Sequence, residues 1–340
     1  MYDTIMKYNR VTLKDIAKEL GVHHTTVSLA LKNSPLLKEE TKEKIRVKAK
    51  QMSYRPNLLA QGFRSRSYKA IGLLVPAIHH HFFSKFISEI TEIAYESGYS
   101  ILVMQSNEKL DTEKINIELF IDKQVAGVIA SISLETRNSK HFELLEQEEV
   151  PLVFFDRVPN DFQGITVTTN NYQLAFDAVE VMVKKGRKKV AFITSSSNIN
   201  VCDDRFNGYK DALKKYHIPV DENLIIASGF EIITGAKAAK KLMSYQTKPD
   251  GILAINDRVA MGAIKFLKKS GYRIPQEISV IGFDNDPMGL AVEPELTTCN
   301  QPIEKLARTS FNAIIEQIEK RDTNRKAFVI NGNIIRRNSD

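Results

Sequence analysis

The sequence contains no tryptophan and only two cysteines among its 340 residues. Cys202 and Cys299 lack the spacing of a metal site and indicate a reducing compartment. No apolar run approaches the roughly 20 residues that span a bilayer. The first residues, MYDTIMKYNR, lack the apolar stretch of a secretory signal. We therefore expect a cytoplasmic protein with no membrane partner.

The sequence also lacks the motifs of several enzyme classes. It has no P-loop, no dinucleotide-binding glycine fingerprint, no nucleophile elbow and no zinc-protease motif. The run His79-His80-His81 cannot place all three rings around one ion on regular structure, and the sequence shows no cysteine or carboxylate pair nearby. We interpret these histidines as loop residues. The prediction is a protein that is not an enzyme, with no cofactor, no metal and no catalytic residue.

Positive charge is concentrated at the start of the chain. Residues 1–68 hold 14 Lys and Arg against 6 Asp and Glu, whereas the whole chain has a net charge of only +7. Residues 69–340 are therefore close to neutral. A basic module on a near-neutral body is typical of a protein that binds nucleic acid.

Within this basic segment, residues 11–31 (VTLKDIAKELGVHHTTVSLAL) predict two short amphipathic helices. Thr12 can cap the first helix, predicted as Leu13–Leu20, and Gly21 provides the backbone freedom for a tight turn. Such a pair is typical of a helix-turn-helix, which places its second helix in the DNA major groove. An ordinary pair of helices in another kind of domain is the alternative, and the charge pattern argues against it.

A third helix and a short fourth helix are expected to follow. The apolar Ile45, Val47 and Ala49 are expected to complete a three-helix core rather than to contact DNA. Pro56 should end the third helix, and Asn57 can cap a new helix that runs to about Phe63. Because this fourth helix has only two turns, it should be frayed or unfolded by itself.

From Ile71 onward, continuous apolar strands alternate with amphipathic helices. The predicted strands are residues 71–76, 100–104, 127–131, 151–155, 189–194, 224–228, 251–255 and 279–283. This alternation predicts parallel sheets covered on both faces, an α/β architecture. The strand–helix units are too many for one typical open sheet, so we expect two similar lobes that begin at the Ile71 and Val190 segments.

Several segments in a fixed order carry a resemblance to a known family. They are VTLKDIAKELGV, TTVSLALKNS, YRPNLLAQGF, VPLVFFDRV, DDRFNGYKDAL, PDGILAINDRVAMGAI, IPQEISVIGFDN and PELTTCNQP. Together they resemble the lactose/galactose repressor family of bacterial transcription regulators, over nearly the whole chain. The resemblance implies a ligand-responsive transcription regulator, most simply a repressor, that binds a DNA operator.

The resemblance also implies a domain organisation. An all-α helix-turn-helix headpiece would occupy residues 1–56, and a hinge helix with its linker residues 57–70. A two-lobed effector domain of parallel sheets, similar to periplasmic sugar-binding proteins, would follow over residues 71–340. Its N-lobe would comprise about 71–168 and 299–328, and its C-lobe about 169–298 and 329–340.

The resemblance assigns two sets of DNA-contacting positions near the second helix. Base edges would be read by His24, Thr25 and Leu29. Phosphates would be contacted by Thr26, Ser28 and Asn33. Leu29 stands where the family commonly has Arg, so it can offer only apolar contact, for example to a thymine methyl, and packing within the headpiece is the alternative. His23 stands where Ser or Asp is the usual cap.

The hinge positions of the family correspond to Asn57, Ala60 and Phe63. Phe63 stands where a Leu wedge is common, and either residue can enter the minor groove and kink the duplex. Packing of Phe63 against the hinge of a dimer mate is an equally weighted alternative, and both can coexist. Because one recognition helix covers few base pairs, we expect a homodimer on a pseudo-palindromic operator.

For the effector, the resemblance points to seven positions. They are His80, Phe82, Asp156, Arg205, Asn256, Asp257 and Asp284. Carboxylates around an arginine suit a polyol, so the expected effector is a sugar or sugar derivative. A nucleobase or a protein co-effector is an alternative, and a salt bridge or helix cap is the alternative role for Asp257 and Asp284.

Two other functional classes remain open from the sequence. A ligand-binding protein with no role on DNA would need only the two lobes, and the basic headpiece argues against it. A sugar-modifying enzyme would need an assembled nucleophile or an acid–base pair, and the sequence offers neither.

Overall fold

The computed structural model describes residues 11–54, 70–197, 199–320 and 325–340. The chain divides into two compact units, Met1–Tyr68 and Lys69–Asp340. None of the helices in these described segments is long and apolar enough to cross a membrane. The predicted hinge positions Asn57, Ala60 and Phe63 lie outside the described residues.

Three helices form the first unit: α1 (Leu13–Leu20), α2 (His24–Leu31) and α3 (Glu39–Gln51). The sequence prediction for α1 is confirmed. Thr12 and Asp15 form a reciprocal capping box at its start, and Gly21 ends it with a left-handed φ of 63°. The small core of the unit consists of Ile16, Ala17, Val27, Ala30, Ile45 and Ala49.

The prediction that Val47 joins this core is wrong. Ile45 and Ala49 are buried, whereas Val47 is 46% exposed. Residues four apart lie on one face of a helix, but a residue two positions along is rotated by roughly 200°. Val47 therefore faces away from the core that its neighbours fill.

The second unit begins with alternating strands and helices that build the first lobe. These elements are β1 (Ala70–Val75), α4 (His81–Glu96), β2 (Ser100–Gln105), α5 (Leu110–Asp122), β3 (Gly127–Ala130), α6 (Glu143–Gln147), β4 (Leu152–Phe155) and β5 (Ile165–Thr169). β1, β3 and β4 are wholly apolar, as expected for strands in a sheet that is covered by helices.

The second lobe repeats this pattern, and the chain then returns to the first. The elements of the second lobe are α7 (Asn171–Lys184), β6 (Val190–Ser195), α8 (Asn200–Lys215), β7 (Ile225–Ser228), α9 (Ile232–Ser244), β8 (Gly251–Ala254), α10 (Asp257–Lys269), β9 (Ser279–Phe283) and β10 (Thr297–Asn300). The last elements are α11 (Ile303–Lys320), β11 (Ala327–Ile330) and β12 (Asn333–Ile335).

Each lobe contains one six-stranded sheet. The strand order is β11-β5-β4-β3-β1-β2 in the first lobe and β12-β10-β9-β8-β6-β7 in the second. All pairings are parallel except that of β12 with β10. The predicted α/β architecture with two lobes is confirmed. The chain crosses between the lobes after Thr169, Asn300 and Ile330, one or two residues beyond the predicted positions.

Close helix packing in the second lobe depends on glycine. Gly235 of α9 and Gly262 of α10 lie where the two helices meet. A Cβ atom added to Gly235 would lie 2.1 Å from the Val259 carbonyl oxygen, and one added to Gly262 would lie 2.0 Å from that of Ile232. A larger residue would push the helices apart, which would also move the start of α10.

Candidate functional site

The predicted DNA-reading residues lie on or next to α2. His23 precedes the helix in an extended conformation and makes no side-chain cap hydrogen bond. Its Nδ1 instead lies 2.8 Å from the Thr25 hydroxyl. Thr25 is exposed, and His24 and Leu29 are half-buried. The start of α2 therefore presents the polar side chains of His23 and Thr25 at the surface.

The predicted phosphate-contacting residues are less uniform. Thr26 and Ser28 are half-buried on α2. Asn33 follows the helix with a left-handed φ of 56°. Its side-chain oxygen accepts a hydrogen bond of 2.8 Å from Arg46 of α3. This contact ties Asn33 to the third helix. Its backbone N–H donates a 3.1 Å hydrogen bond to the Ala30 carbonyl, so the amide NH2 is the group left to meet a phosphate.

In the second unit, side chains from both lobes line one small cavity. Six of the seven predicted effector residues are among them: His80, Phe82, Asp156, Arg205, Asn256 and Asp284. They follow the carboxyl ends of strands such as β1 and β4 in one lobe and β8 and β9 in the other, where open α/β sheets bind ligands. The cavity has a volume of about 40 Å³, enough for only a few water molecules.

Arg205 is fixed at the centre of this site. It lies on the first turns of α8 and is only 4% exposed. Its Nε donates a 2.9 Å hydrogen bond to Asn171, and its guanidinium carbon lies 4.0 Å from the centre of the Phe283 ring. A terminal nitrogen lies 4.0 Å from the Asp284 carboxylate. The guanidinium is therefore held in one orientation before any ligand arrives.

Two carboxylates face this arginine from turns that follow strands. Asp156 comes directly after β4 with a φ of 56°, and Asp284 directly after β9 with a φ of 101°. Left-handed conformations of non-glycine residues are uncommon and concentrate at functional sites. Burial raises the pKa of Asp156 to about 6, against the opposing effect of Arg157 and Arg205. Burial also raises the pKa of Asp284.

Asn256 and Asp257 are neighbours with different surroundings. Asn256 lines the cavity and caps α10, since its side-chain oxygen accepts a 2.9 Å hydrogen bond from the N–H of Val259. Asp257 does not reach the cavity, which departs from the sequence prediction. Its two oxygens accept 2.7 Å hydrogen bonds from the Thr298 hydroxyl and the Asp286 N–H. Asp257 therefore joins the start of α10 to the strands beside it.

His80 closes the cavity at its mouth. It precedes α4 in the first lobe, and its Nε2 lies 3.3 Å from Oε1 of Glu231 at the start of α9 in the second lobe. Burial lowers the pKa of His80 to about 4, partly opposed by the charge of Glu231. The ring is therefore neutral at pH 7.

Two family descriptions match separate parts of the chain. Residues 12–57 match the bacterial regulatory proteins of the lacI family, and residues 179–339 match the periplasmic binding protein-like domain. The chain belongs to the lactose/galactose repressor family. Members of this family are DNA-binding transcription regulators and not enzymes.

Individual relatives of the family align over nearly the full chain. The HTH-type transcriptional repressor PurR of Vibrio atlanticus (strain LGP32) is 29% identical over 329 residues, which cover 96% of this chain and 98% of that protein. The Lac repressor bound to ONPG in its repressed state has a TM-score of 0.87 at 21% identity, covering 98% and 100% of the two chains. The transcriptional regulator CelR in complex with cellobiose has a TM-score of 0.75 at 23% identity, covering 97% and 100%. The two structural similarities concern the fold.

In this family member, the sequence prediction missed several residues that line the cavity. They are Phe83, Arg157, Val201, Phe230 and Gln301. Gln301 donates a 2.7 Å hydrogen bond to Asp284. Its buried carbonyl oxygen has no hydrogen-bond partner among the described residues. The one available signal was position, since Gln301 directly follows β10.

Arg157 is the most informative of the missed residues. Its terminal nitrogen lies 2.9 Å from both carboxylate oxygens of Glu108 in its own lobe. Its guanidinium carbon lies 5.4 Å from the ring centre of Phe83 and 5.2 Å from that of Phe230, which belong to opposite lobes. Arg157 therefore links the two lobes beside the cavity.

Proposed function

We propose that this chain is a repressor that binds a pseudo-palindromic DNA operator as a homodimer in the cytoplasm. A small polar effector, a sugar or sugar derivative, would change its affinity for DNA. The residues at the interlobe cavity carry the effector part of this proposal, and the basic helix-turn-helix unit carries the DNA part.

The polar groups around the cavity suit a molecule with many hydroxyls. Asp156 and Asp284 accept hydrogen bonds, Arg205 donates them, and Asn256 and Gln301 can do both. Each sugar hydroxyl both donates and accepts, so a ring with several hydroxyls can satisfy this set. The unpartnered carbonyl oxygen of Gln301 supports the same reading, because a buried acceptor without a donor is unfavourable.

The size of the cavity supports a mechanism based on lobe movement. A space of about 40 Å³ does not accommodate a sugar, so the effector must enter while the lobes are further apart. A ligand that binds one arrangement of the lobes more tightly than another shifts the balance between them. Coupling of about 1–3 kcal/mol between effector and DNA would be ordinary for such a protein.

A nucleobase is the second candidate effector. The rings of Phe82, Phe83 and Phe230 border the cavity and could cover a flat heterocycle. A relative that is 29% identical to this chain carries the name PurR, and this is a second reason to test nucleobases. The two ionisable carboxylates favour the polyol, because a base has few N–H groups to share between them.

A panel of ligands distinguishes the two candidates. We would melt the full-length protein with pentoses, hexoses, their phosphates and free nucleobases. A ligand at a hundredfold excess over its dissociation constant should add about 2.7 kcal/mol of stability. We expect a sugar to raise the melting temperature of the parent more than that of Asp284→Asn. Stabilisation by a nucleobase alone would overturn the sugar proposal.

The DNA part of the proposal concerns base reading by His24, Thr25 and Leu29, and wedging by Phe63. Fluorescence anisotropy with a labelled palindrome would measure affinity between roughly 50 and 200 mM salt. We expect affinity to fall steeply with salt and Phe63→Ala to weaken specific binding more than non-specific binding. A flat salt response would contradict the electrostatic argument, and no DNA binding at all would favour a ligand-binding protein with no role on DNA.

A further inference from the structure

Three metal-ligating side chains meet at the mouth of the cavity. His79 and His80 lie in the loop before α4 of the first lobe, and Glu231 caps α9 of the second lobe. The Nε2 atoms of His79 and His80 lie 3.5 Å and 3.3 Å from Oε1 of Glu231. One ligand atom from each of the three residues lies within 4.8 Å of the other two. We propose that His79, His80 and Glu231 bind one Zn²⁺ ion that joins the two lobes.

The distances agree with the requirements of tetrahedral zinc. Zinc ligands at about 2.0–2.2 Å from the ion and at tetrahedral angles lie about 3.3–3.5 Å apart. Both histidine-to-glutamate distances fall in this range. The third distance, between nitrogen atoms of the two rings, is at most 4.8 Å, and rotation of His79, whose side chain is 62% exposed, can shorten it. Two imidazoles and one carboxylate leave a fourth position for water.

The other oxygen of Glu231 is already held in place. Oε2 accepts a charge-assisted hydrogen bond from Arg258 of α10, and Oε1 is the oxygen that faces the histidines. Hydrogen bonds of this kind orient ligating carboxylates in known metal sites. The positive charges of Arg258 and Arg157 nearby weaken the attraction for a cation, so nitrogen-preferring Zn²⁺ should bind whereas Mg²⁺ should not.

Metal binding at this place favours the closed arrangement of the lobes, in which His79 and His80 lie next to Glu231. Since the ligands come from both lobes, opening the cleft would break the site. An ion that binds only the closed arrangement stabilises it by mass action. The existence of the site does not depend on the proposed effector. Its consequence for DNA binding does rest on that proposal.

The test uses the full-length apo protein with zinc chloride alone, after treatment with EDTA. Saturating Zn²⁺ should raise the melting temperature of the effector unit by about 5 °C. Isothermal titration should show one ion per chain at the site. His79→Ala and Glu231→Gln should abolish the shift, since each removes a ligand. Glu231 caps α9 through its backbone carbonyl, which accepts hydrogen bonds from the N–H and the hydroxyl of Thr234, so the glutamine leaves these bonds in place. The exposed His79 contributes no core contact.

Matched controls separate the site from adventitious binding. His81→Ala removes the adjacent histidine, and His23→Ala disrupts the histidine pair of the headpiece. Both should keep the full shift. Equal shifts in the parent and in His79→Ala, or no shift with Zn²⁺ up to about a hundredfold molar excess, would overturn the site. Sugar binding measured in EDTA would be unaffected by either result, so the proposed effector stands or falls separately.

Discussion

The headpiece and the effector unit place their functional residues in different ways. In the headpiece, three helices that follow one another along the chain share a core of six small or medium apolar residues. The candidate DNA-reading residues occupy one turn and a half of α2. In the effector unit, residues as far apart as His80 and Gln301 line one cavity. A local motif makes the first site, and the whole topology of two sheets makes the second.

The two sites also differ in how deeply their residues are buried. Thr25 is exposed and Leu29 is half-buried, so each can change with little effect on the headpiece core. Arg205, Asn256 and Asp156 are only 4–5% exposed. Arg205 and Asn256 form hydrogen bonds with neighbouring groups, and charged side chains lie beside Asp156. A change at the cavity therefore alters stability and binding together, whereas a change on α2 should alter binding alone.

Arg205→Ala should have the largest effect. It removes the positive charge beside Asp284 and the hydrogen bonds to Asn171 and to the Ile255 carbonyl. Removing one partner of a buried ion pair costs about 3–5 kcal/mol, and less here because the Asp284 side chain is 20% exposed and keeps its hydrogen bond from Gln301. We expect a corresponding fall in the free energy of unfolding of the effector unit and loss of the effector response. Chemical denaturation and DNA binding with and without effector would measure both.

The control for this prediction is Arg205→Lys, which keeps the charge and loses the planar fork. It should restore much of the stability but little of the effector binding. DNA affinity without effector should be unchanged in both variants, because the headpiece core contains no residue of α8. A stable Arg205→Ala protein that binds the effector as tightly as the parent would contradict the expectation that changes at the cavity alter stability and binding together.

Asp156 should make the stability of the effector unit depend on pH. Its pKa is raised from 3.8 to about 6 in the folded protein, so the folded state holds the proton more tightly than the unfolded state. Stability should therefore fall as the pH rises from about 4 to about 6, by up to ~3 kcal/mol from this group. Below that range the penalty is absent, and above it the penalty is constant.

Asp156→Asn is the variant that isolates this effect. It should be as stable as the parent near pH 4 and more stable above pH 6, as measured by denaturant unfolding at each pH. Since Asp257 and Asp284 also have raised pKa values, only the difference between parent and variant reports on Asp156. Parallel curves for the two proteins would contradict the prediction.

Asp257 and Asp284 offer a comparison within the effector unit. Asp257→Ala leaves the Thr298 hydroxyl and the Asp286 N–H unpaired, which should cost about 2 kcal/mol of stability. Asp284→Asn keeps an oxygen for Gln301 but removes a charged acceptor from the cavity. We expect Asp257→Ala to lower stability with little change in effector affinity. Asp284→Asn should weaken effector binding about tenfold with a smaller change in stability.

The sequence predicted most of the architecture because its strong signals are local. The capping pair at Thr12 and Asp15 and the turn at Gly21 gave α1 its bounds. Long apolar strands such as β1 and β9 were also easy to predict from the sequence. The strands that were missed are β5, β10, β11 and β12. β5 and β10 carry threonine, β11 alternates in burial, and β12 has only three residues. Only pairing with distant strands makes them part of a sheet.

The same reasoning explains the partial success at the cavity. Six lining residues were placed by their resemblance to family positions, each at the end of a strand or near the start of a helix. Asp257 shares that position, but hydrogen bonds from Thr298 and Asp286 turn its carboxylate away from the cavity. Periodicity cannot reveal these partners, which lie 29 and 41 residues further along the chain. Glu231 was missed for the same reason, since only the meeting of the lobes brings it to His80.

The smallest expected effect concerns the caps of the headpiece. Thr12 accepts a hydrogen bond from the Asp15 N–H, and Asp15 accepts one from the Thr12 N–H. His23, at the equivalent place before α2, has no side-chain cap hydrogen bond. Thr12→Ala should therefore destabilise the headpiece by about 1 kcal/mol, and His23→Ser should stabilise it by somewhat less. Hydrogen exchange of α1 and α2 amides in the full-length protein would measure each change.

Exchange in the effector unit provides the internal control for these two variants. Amides of α10, whose core is separate from that of the headpiece, should exchange at the parent rate in both. Asn256→Ala is the matched change there, because it removes the cap of α10 and a lining residue at once. It should cost a similar amount of stability, and it should also weaken effector binding. If Asn256→Ala left effector binding intact, the cap of α10 would act on stability alone, as the caps in the headpiece are expected to do.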